Sequence, residues 1–558
     1  RDAQESRGLG DVYKRQEKVV VSMAQLNQTA GDLEGNFKRI AEAAEKAKHS
    51  DILVTPELSL CGYPPEDLLF LDSFLEDCAK KLNELVEYST RFPKLHILAG
   101  YPLKEAGRLY NVVSVILNGK ILLTYRKKNL PNYGVFDEER YFTPGGEDVC
   151  TFDVGDTRFG VNICEDIWFP EAPSQAKEQG AQVLLIANAS PFEEGKEEQR
   201  LNMVRRHVNA IGMDACYVNM CGAQDEIVFD GETFACSADE VLARAPHMKE
   251  SLLSVEVRKG RICRGEDSQP LSDWAVLYEA LVVSMRDYIN KNGFKGVVLG
   301  LSGGVDSALV LKIAVDAVGN DKVLAVMMPS VYTSSLSRGD AAKLASRLGV
   351  RLETISIQDG YTAFEFMLAK QFNGMPHDVT EENLQARIRG VILMAISNKF
   401  GSMVATTGNK SEMAVGYSTL YGDLAGGFAV IKDVYKTQVY ALCRWINECS
   451  KENPVFPETI LTRAPSAELR ENQKDQDSLP DYSVLDEILR RFIEDREGPE
   501  EIVAAGFDRA VVDKVLRMVS RAEYKRRQSP IGPKVTKVAF GRDWRFPVTN
   551  KYLSLIHI

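Results

Sequence analysis

The chain has 558 residues, 44% hydrophobic and 26% charged, so at roughly 150 residues per domain it holds two to four ordinary globular domains. A formal net charge of −11 with no basic run longer than Lys525–Arg527 excludes a nucleic-acid backbone as a general partner. No apolar stretch approaches the roughly 20 residues that span a bilayer, so no membrane is expected, and 10 scattered cysteines without a CxxC pair point to a reducing, cytoplasmic setting.

Residues 1–16 break abruptly into a clean strand pattern at Lys18, and residues 553–558 form an apolar tail after a polar ending; both read as non-native flanks. From residue 17, short apolar runs dominate: 18–26, 51–56, 96–100, 112–125, 159–164 and 182–187, each expected to be one strand. Helical patterns at 36–48 and 74–88 separate some of them. This half, 17–256, is therefore an α/β domain with a mixed or multilayer sheet. Residues 257–272 are polar and glycine-containing and are expected to be a linker. A second α/β domain, 273–552, opens on an amphipathic helix and continues with a buried strand from Gly296 into a glycine turn. A helix at 306–318 and strands at 323–329 and 352–357 follow.

Three strings in the first half carry nucleophilic chemistry: Pro56-Glu-Leu-Ser-Leu-Cys-Gly-Tyr63, Tyr125-Arg-Lys-Lys-Asn-Leu-Pro131 and Gly160-Val-Asn-Ile-Cys-Glu-Asp-Ile-Trp168. Each follows an apolar run, which places Glu57, Lys127 and Cys164 at strand ends, where sheets build sites. A thiol, a carboxylate to shuttle its proton and a lysine to stabilise an oxyanion make a complete acyl-transfer set without histidine. Alone, Cys164 reads as an inert buried thiol, Glu57 as a helix cap and Lys127 as part of a solvated cluster with Arg126 and Lys128.

In the second half, Ser302-Gly-Gly-Val-Asp-Ser307 stands where a buried strand meets a helix. Glycines let the backbone approach an anion, and turn amides and a helix N-terminus point donors at phosphate. An aspartate facing phosphate needs a cation between them, so Asp306 implies Mg²⁺. The plain alternative is a capped strand-to-helix turn.

The order of Glu57, Lys127 and Cys164 resembles the nitrilase-type carbon–nitrogen hydrolases, and the Lys-x-x-Leu-Pro spacing selects Lys127 over Lys128. The Ser302–Ser307 loop resembles that of the ATP pyrophosphatases, which cleave ATP to AMP and pyrophosphate. The strings 382–389, 406–412, 421–423, 428–436, 465–470 and 540–547 look like the NAD synthetase branch of that group, and 132–141 like the glutaminases fused to it. The resemblance implies a nitrilase-like α-β-β-α sandwich followed by an α/β domain with a parallel sheet of the ATP pyrophosphatase type. It implies glutamine hydrolysis by a Cys-Glu-Lys triad and ATP-driven amidation of deamido-NAD through an adenylate. A second glutamate falls at Glu138, with Glu139 as rival, and Tyr133, Ser190 and Phe192 are candidates for holding glutamine. Ser302, Gly303, Gly304, Asp306, Ser307 and Thr407 fall to ATP, and Asp306 and Glu412 to Mg²⁺. Asn383, Arg387, Asp423 and Lys436 fall to deamido-NAD, and a homo-oligomer built on a synthetase-domain dimer is implied. Two rivals stand beside this reading: an amidase fused to a different adenylating synthetase, and a non-catalytic nucleotide-binding regulator.

Overall fold

The computed structural model describes residues 18–450, 452–550 and 552; the two flanks read from the sequence, 1–16 and 553–558, lie outside them. The chain divides into two compact units, Ser272 opening the second, with the short segment Asp225–Val228 grouped with the second as well. Among the described residues no helix is long and apolar enough to cross a membrane.

The first unit runs β1 (Val19–Gln25), α1 (Leu33–Lys46), β2 (Ile52–Val54), α2 (Asp72–Tyr88), β3 (His96–Glu105), β4 (Arg108–Leu117) and β5 (Lys120–Arg126). It continues through β6 (Thr151–Val154), β7 (Thr157–Ile163), α3 (Glu171–Glu178), β8 (Val183–Asn188), α4 (Lys196–Ile211) and β9 (Asp214–Asn219). Strands β10 (Cys221–Gln224), β11 (Ile227–Asp230), β12 (Phe234–Cys236), β13 (Val241–Arg244), β14 (Ser251–Arg258) and β15 (Arg261–Ile262) follow. One sheet has the order β15-β14-β1-β2-β3-β4-β5 and the other β13-β12-β9-β8-β7-β6.

Strand alternation explains the layering. Val19, Val21 and Met23 of β1, Ile52 and Val54 of β2 and Val113 and Val115 of β4 share one core with Val161, Ile186 and Val218 of the other sheet. The intervening residues Ala24, Leu53, Ile97 and Val112 turn outward to Ile40 of α1 and Leu82 and Leu85 of α2. Met203 and Val204 of α4 and Ala176 of α3 cover the second sheet. The result is an α-β-β-α sandwich in which a side-chain period of two sorts each strand between two apolar layers.

Two details differ from the sequence reading. The run 112–125 is two strands, because Asn118 and Gly119 both take positive φ, 45° and 78°, and make the two-residue turn that joins β4 to β5. Residues 257 and 258, expected in a linker, still pair with β1 or β15. The end of β14 alternates charged and apolar residues, so its composition mimics a linker.

The second unit runs α5 (Asp273–Asn292), β16 (Val297–Gly300), α6 (Val305–Val318), β17 (Val323–Met327), α7 (Ser335–Leu348), β18 (Arg351–Thr354), α8 (Gln358–Phe372) and α9 (Val379–Phe400). Then come β19 (Met403–Ala405), α10 (Lys410–Val415), α11 (Lys436–Cys449), α12 (Glu458–Thr462) and α13 (Tyr482–Ile493). Its four strands are all parallel in the order β18-β17-β16-β19. Strand order reverses between β16 and β19, and in open parallel sheets that crevice at the carboxyl ends is where ligands bind. A separate helical core joins α10 and α13 to Val512, Val515, Phe540 and Trp544 near the C-terminus.

Candidate active sites

In the first unit Glu57 follows β2, Lys127 follows β5 and Cys164 follows β7, so three strand ends deliver them. Lys127 Nζ lies 2.6 Å from Glu57 Oε1 and 2.9 Å from each oxygen of Glu138. Asn111 Nδ2 donates to Glu57 Oε1 at 2.7 Å and Ala189 N to Glu57 Oε2 at 3.2 Å. Tyr63 donates its hydroxyl to Glu138 Oε1 at 2.8 Å. Burial decides between the candidates: Lys127 and Glu138 are buried, whereas Lys128 reaches Glu147 and Glu139 is exposed.

Burial opposes the charge on Lys127, but the carboxylates of Glu138 and Glu57 overcome it and hold the ammonium well above its usual pKa. Burial pushes Glu138 up to about 7 despite Lys127, with Glu57 adding to the rise. The Cys164 thiol is also held well above its usual value, by burial first and Glu57 second, with Lys127 pulling the other way. Cys164 is therefore a protonated thiol at rest, beside a carboxylate able to take that proton. Its φ of 43° stores backbone strain at the tip of a strand, a conformation kept where function over-determines it.

Around this cluster, Tyr133 donates its hydroxyl to both oxygens of Glu165 at 3.0 and 3.1 Å. Ser190 is buried two residues beyond β8, and Phe192 is buried farther along the same loop. Tyr63, Asn111 and Glu165 were not singled out by sequence. Glu165 had a signal, its place next to Cys164; Asn111 had none, lying mid-strand in β4.

In the second unit a cavity of about 330 Å³ opens at the reversal point. Ser302, Gly304, Asp306, Ser307, Thr407, Glu412, Asp423 and Lys436 all line it. Gly303 has φ of 82°, and a Cβ there would lie 2.3 Å from the Ser337 carbonyl, so the turn requires glycine. Lys436 Nζ bridges Asp306 Oδ2 at 2.5 Å and Glu412 Oε1 at 3.1 Å, while Asn409 Nδ2 holds Asp306 Oδ1 at 2.8 Å. Burial raises Glu412 to about 8 although Lys436 opposes it. Burial likewise opposes the charge on Lys436, which Asp306 and Glu412 hold above its usual pKa.

Two of the residues expected at deamido-NAD stand outside this cavity: Arg387 is exposed and donates to the Leu420 carbonyl, and Asn383 accepts from Thr419. The helix period turns Arg389 inward instead, where it lines the cavity with Arg463, Glu468 and Asp475. Arg463 donates to the Gly303 carbonyl at 2.6 Å, which braces the Ser302–Ser307 loop from 160 residues away in sequence.

Residues 20–264 match the family described as carbon-nitrogen hydrolase and residues 277–529 the family described as NAD synthase. A glutamine-dependent NAD(+) synthetase of Acinetobacter baylyi is 45% identical over 538 residues, covering 95% of this chain and 98% of the relative. One from Thermotoga maritima is 45% identical over 574 residues, covering 96% and 99%. The solved glutamine-dependent NAD+ synthetase of Acinetobacter baumannii, in complex with ADP, superposes with a TM-score of 0.77 at 42% identity, covering 96% of this chain and 99% of that one.

Proposed function

Because this chain belongs to the glutamine-dependent NAD(+) synthetases, ligases that take their amide nitrogen from glutamine and consume ATP, we propose the following division of labour among its residues. Glu57 takes the Cys164 proton as sulfur attacks the glutamine carboxamide carbon. Lys127, locked in charge by Glu57 and Glu138, faces the oxyanion of the tetrahedral adduct. Glu57 returns the proton to nitrogen, ammonia leaves, and water then cleaves the thioester to glutamate. Tyr133, Ser190 and Phe192 shape the glutamine pocket, and the Glu165 carboxylate held by Tyr133 suits a substrate ammonium group.

In the second unit the Ser302–Ser307 loop and Thr407 hold ATP. An oxygen of the deamido-NAD carboxylate attacks the α-phosphorus, pyrophosphate leaves, and ammonia then displaces AMP from the acyl carbon. Two oxygen donors, Asp306 and Glu412, already converge on one cation, the Lys436 ammonium, a hard-ligand arrangement that suits Mg²⁺. Asp306 and Glu412 would hold Mg²⁺, which would supply positive charge to balance the departing pyrophosphate. Asp423 and Lys436 face the reacting groups from the cavity wall.

The chain pairs with a second copy through α8 and α9. Phe366, Met367, Val391 and Phe400 are exposed there, an apolar area that a solvated helix pair does not need. Asn383, Arg387, Val391 and Met394 follow one stripe of α9, which puts the two outlying deamido-NAD candidates on the pairing face. All 10 cysteines are free, which fits a reducing cytoplasm.

The observation that carries this reading is the Lys127 ammonium bridging Glu57 and Glu138 beside Cys164. Its test is NAD formation from deamido-NAD, ATP and Mg²⁺ with glutamine or ammonium, in the intact protein and in Cys164→Ala. Loss of the glutamine reaction alone is expected; loss of neither removes Cys164 as the nucleophile.

A further inference from the structure

Ala189 and Ser190, just past β8, bring Glu57 one of its donors and the glutamine pocket one of its walls. Their backbone is held by a side chain, that of Asn219, the last residue of β9. Asn219 Oδ1 accepts from Ser190 N at 2.8 Å, and Asn219 Nδ2 donates to the Ser190 carbonyl at 3.2 Å. The ladder between β8 and β9 ends at the pair Asn188 and Asn219, so the amide extends strand-like pairing one step beyond the sheet. Asn219 Nδ2 also lies 3.3 Å from Asp230 Oδ1. That contact sets the sense of the amide, since the opposite orientation turns its oxygen toward a carboxylate.

Asp230 is gripped by both arms of the Arg200 guanidinium, at 3.1 and 2.5 Å. Ser190, Asn219, Asp230 and Arg200 are all at most 4% exposed. A buried ion pair is weak evidence for stability, because apolar packing of the same volume commonly serves as well. Orienting the Asn219 amide gives the pair a purpose. Beyond Arg200, Glu197, Glu232 and His247 place ligand atoms within 4.8 Å of one another. Arg244 stands 3.2 Å from Glu197 and 3.6 Å from Glu232, and Arg200 3.7 Å from Glu232. Two guanidiniums thus already neutralise these carboxylates, so the group anchors Arg200 rather than a metal ion.

We propose that Asn219, oriented by the Asp230–Arg200 pair, is a positioning residue for glutamine cleavage that sets the Ala189–Ser190 arm against Glu57 and the substrate. The inference rests on the reading that Ser190 contacts glutamine. Because the Asn219 amide is engaged by the Ser190 backbone and Asp230, it acts through the arm.

The test is steady-state kinetics of the full chain carrying Asn219→Ala, with glutamine and with ammonium as nitrogen source. The KM for glutamine is expected to rise about tenfold or more, with ammonium-supported NAD formation within about twofold of the parent. A KM does not depend on how much of the enzyme is folded, so a merely structural role leaves it in place; an unchanged glutamine KM overturns the proposal. Adding Asp230→Asn to Asn219→Ala is expected to raise KM no further, and an additive rise overturns the orienting role. Asn219→Ser, which keeps one polar atom, takes the same measurements if the alanine variant does not fold. Ser190→Ala separates the two readings. An unchanged KM there removes glutamine from Ser190 and this inference with it. A raised KM there, with an unchanged one in Asn219→Ala, removes this inference alone.

Discussion

Lys127 Nζ lies 2.6 Å from Glu57 Oε1, with both side chains wholly excluded from solvent. Removing the cation leaves Glu57 and Glu138 as buried carboxylates without a counter-charge. Lys127→Met is therefore expected to destabilise the first unit by roughly 3–5 kcal/mol. It also removes the proposed oxyanion partner, so glutamine-dependent NAD formation is expected to fall by about a hundredfold or more. Urea unfolding with parallel assays on glutamine and ammonium checks both; a variant that keeps its glutamine rate contradicts the assignment.

Glu138 carries the pH signature of the same cluster. Burial raises its folded pKa from 4.5 to about 7, so the folded state holds a proton that the unfolded chain gives up earlier. Its contribution to stability is thus fully present below pH 4.5 and is lost as pH rises through about 7. Glu412, raised to about 8, extends the loss in the same direction in the second unit. Chemical denaturation at pH 5 and pH 7.5 is expected to show a shallower decline for Glu138→Gln than for the parent. Equal slopes remove Glu138 as a source of the dependence.

Lys436 joins Asp306 to Glu412, and its loss strikes the second unit alone. Lys436→Met is expected to lower NAD formation about a hundredfold or more with either nitrogen source, while glutamine hydrolysis persists. Pyrophosphate release and glutamate release, measured on the same sample, resolve the two activities.

At Gly303 an added Cβ meets a backbone carbonyl, not a yielding side chain. Gly303→Ala must also hold a φ of 82°, a strain of about 1–3 kcal/mol, so the loop is expected to shift. The measurable result is a KM for ATP raised about tenfold with the KM for glutamine unchanged.

The exposed stripe of α9 makes the pairing testable. Val391→Glu puts a charge amid exposed apolar groups and is expected to halve the mass seen by sedimentation. An unchanged mass places the contact between copies elsewhere.

Much of the catalytic machinery is legible in the amino-acid sequence itself. Glu57, Lys127 and Cys164 each follow an apolar run, and a run that ends a buried strand delivers its next residue to the sheet's rim. The Ser302–Ser307 loop is legible for the same reason, since strand, glycine turn and helix are local features. Asn118-Gly119 is legible in principle as a hairpin turn, but the mostly apolar stretches on either side of it read together as one run.

The sequence alone thus determined where the candidate nucleophile, base and phosphate loop stand and in which half each belongs. Only the tertiary structure decided among neighbours and brought in partners from afar. It turned Lys127 inward and Lys128 outward, buried Glu138 and exposed Glu139, and put Arg389 rather than Arg387 in the cavity. It also carried Asn111, 54 residues from Glu57, and Arg463, 160 residues from Gly303, to their contacts. The physical reason is that a strand or helix period tells which residues share a face, while the face that meets a given loop is set by packing between elements far apart in the chain.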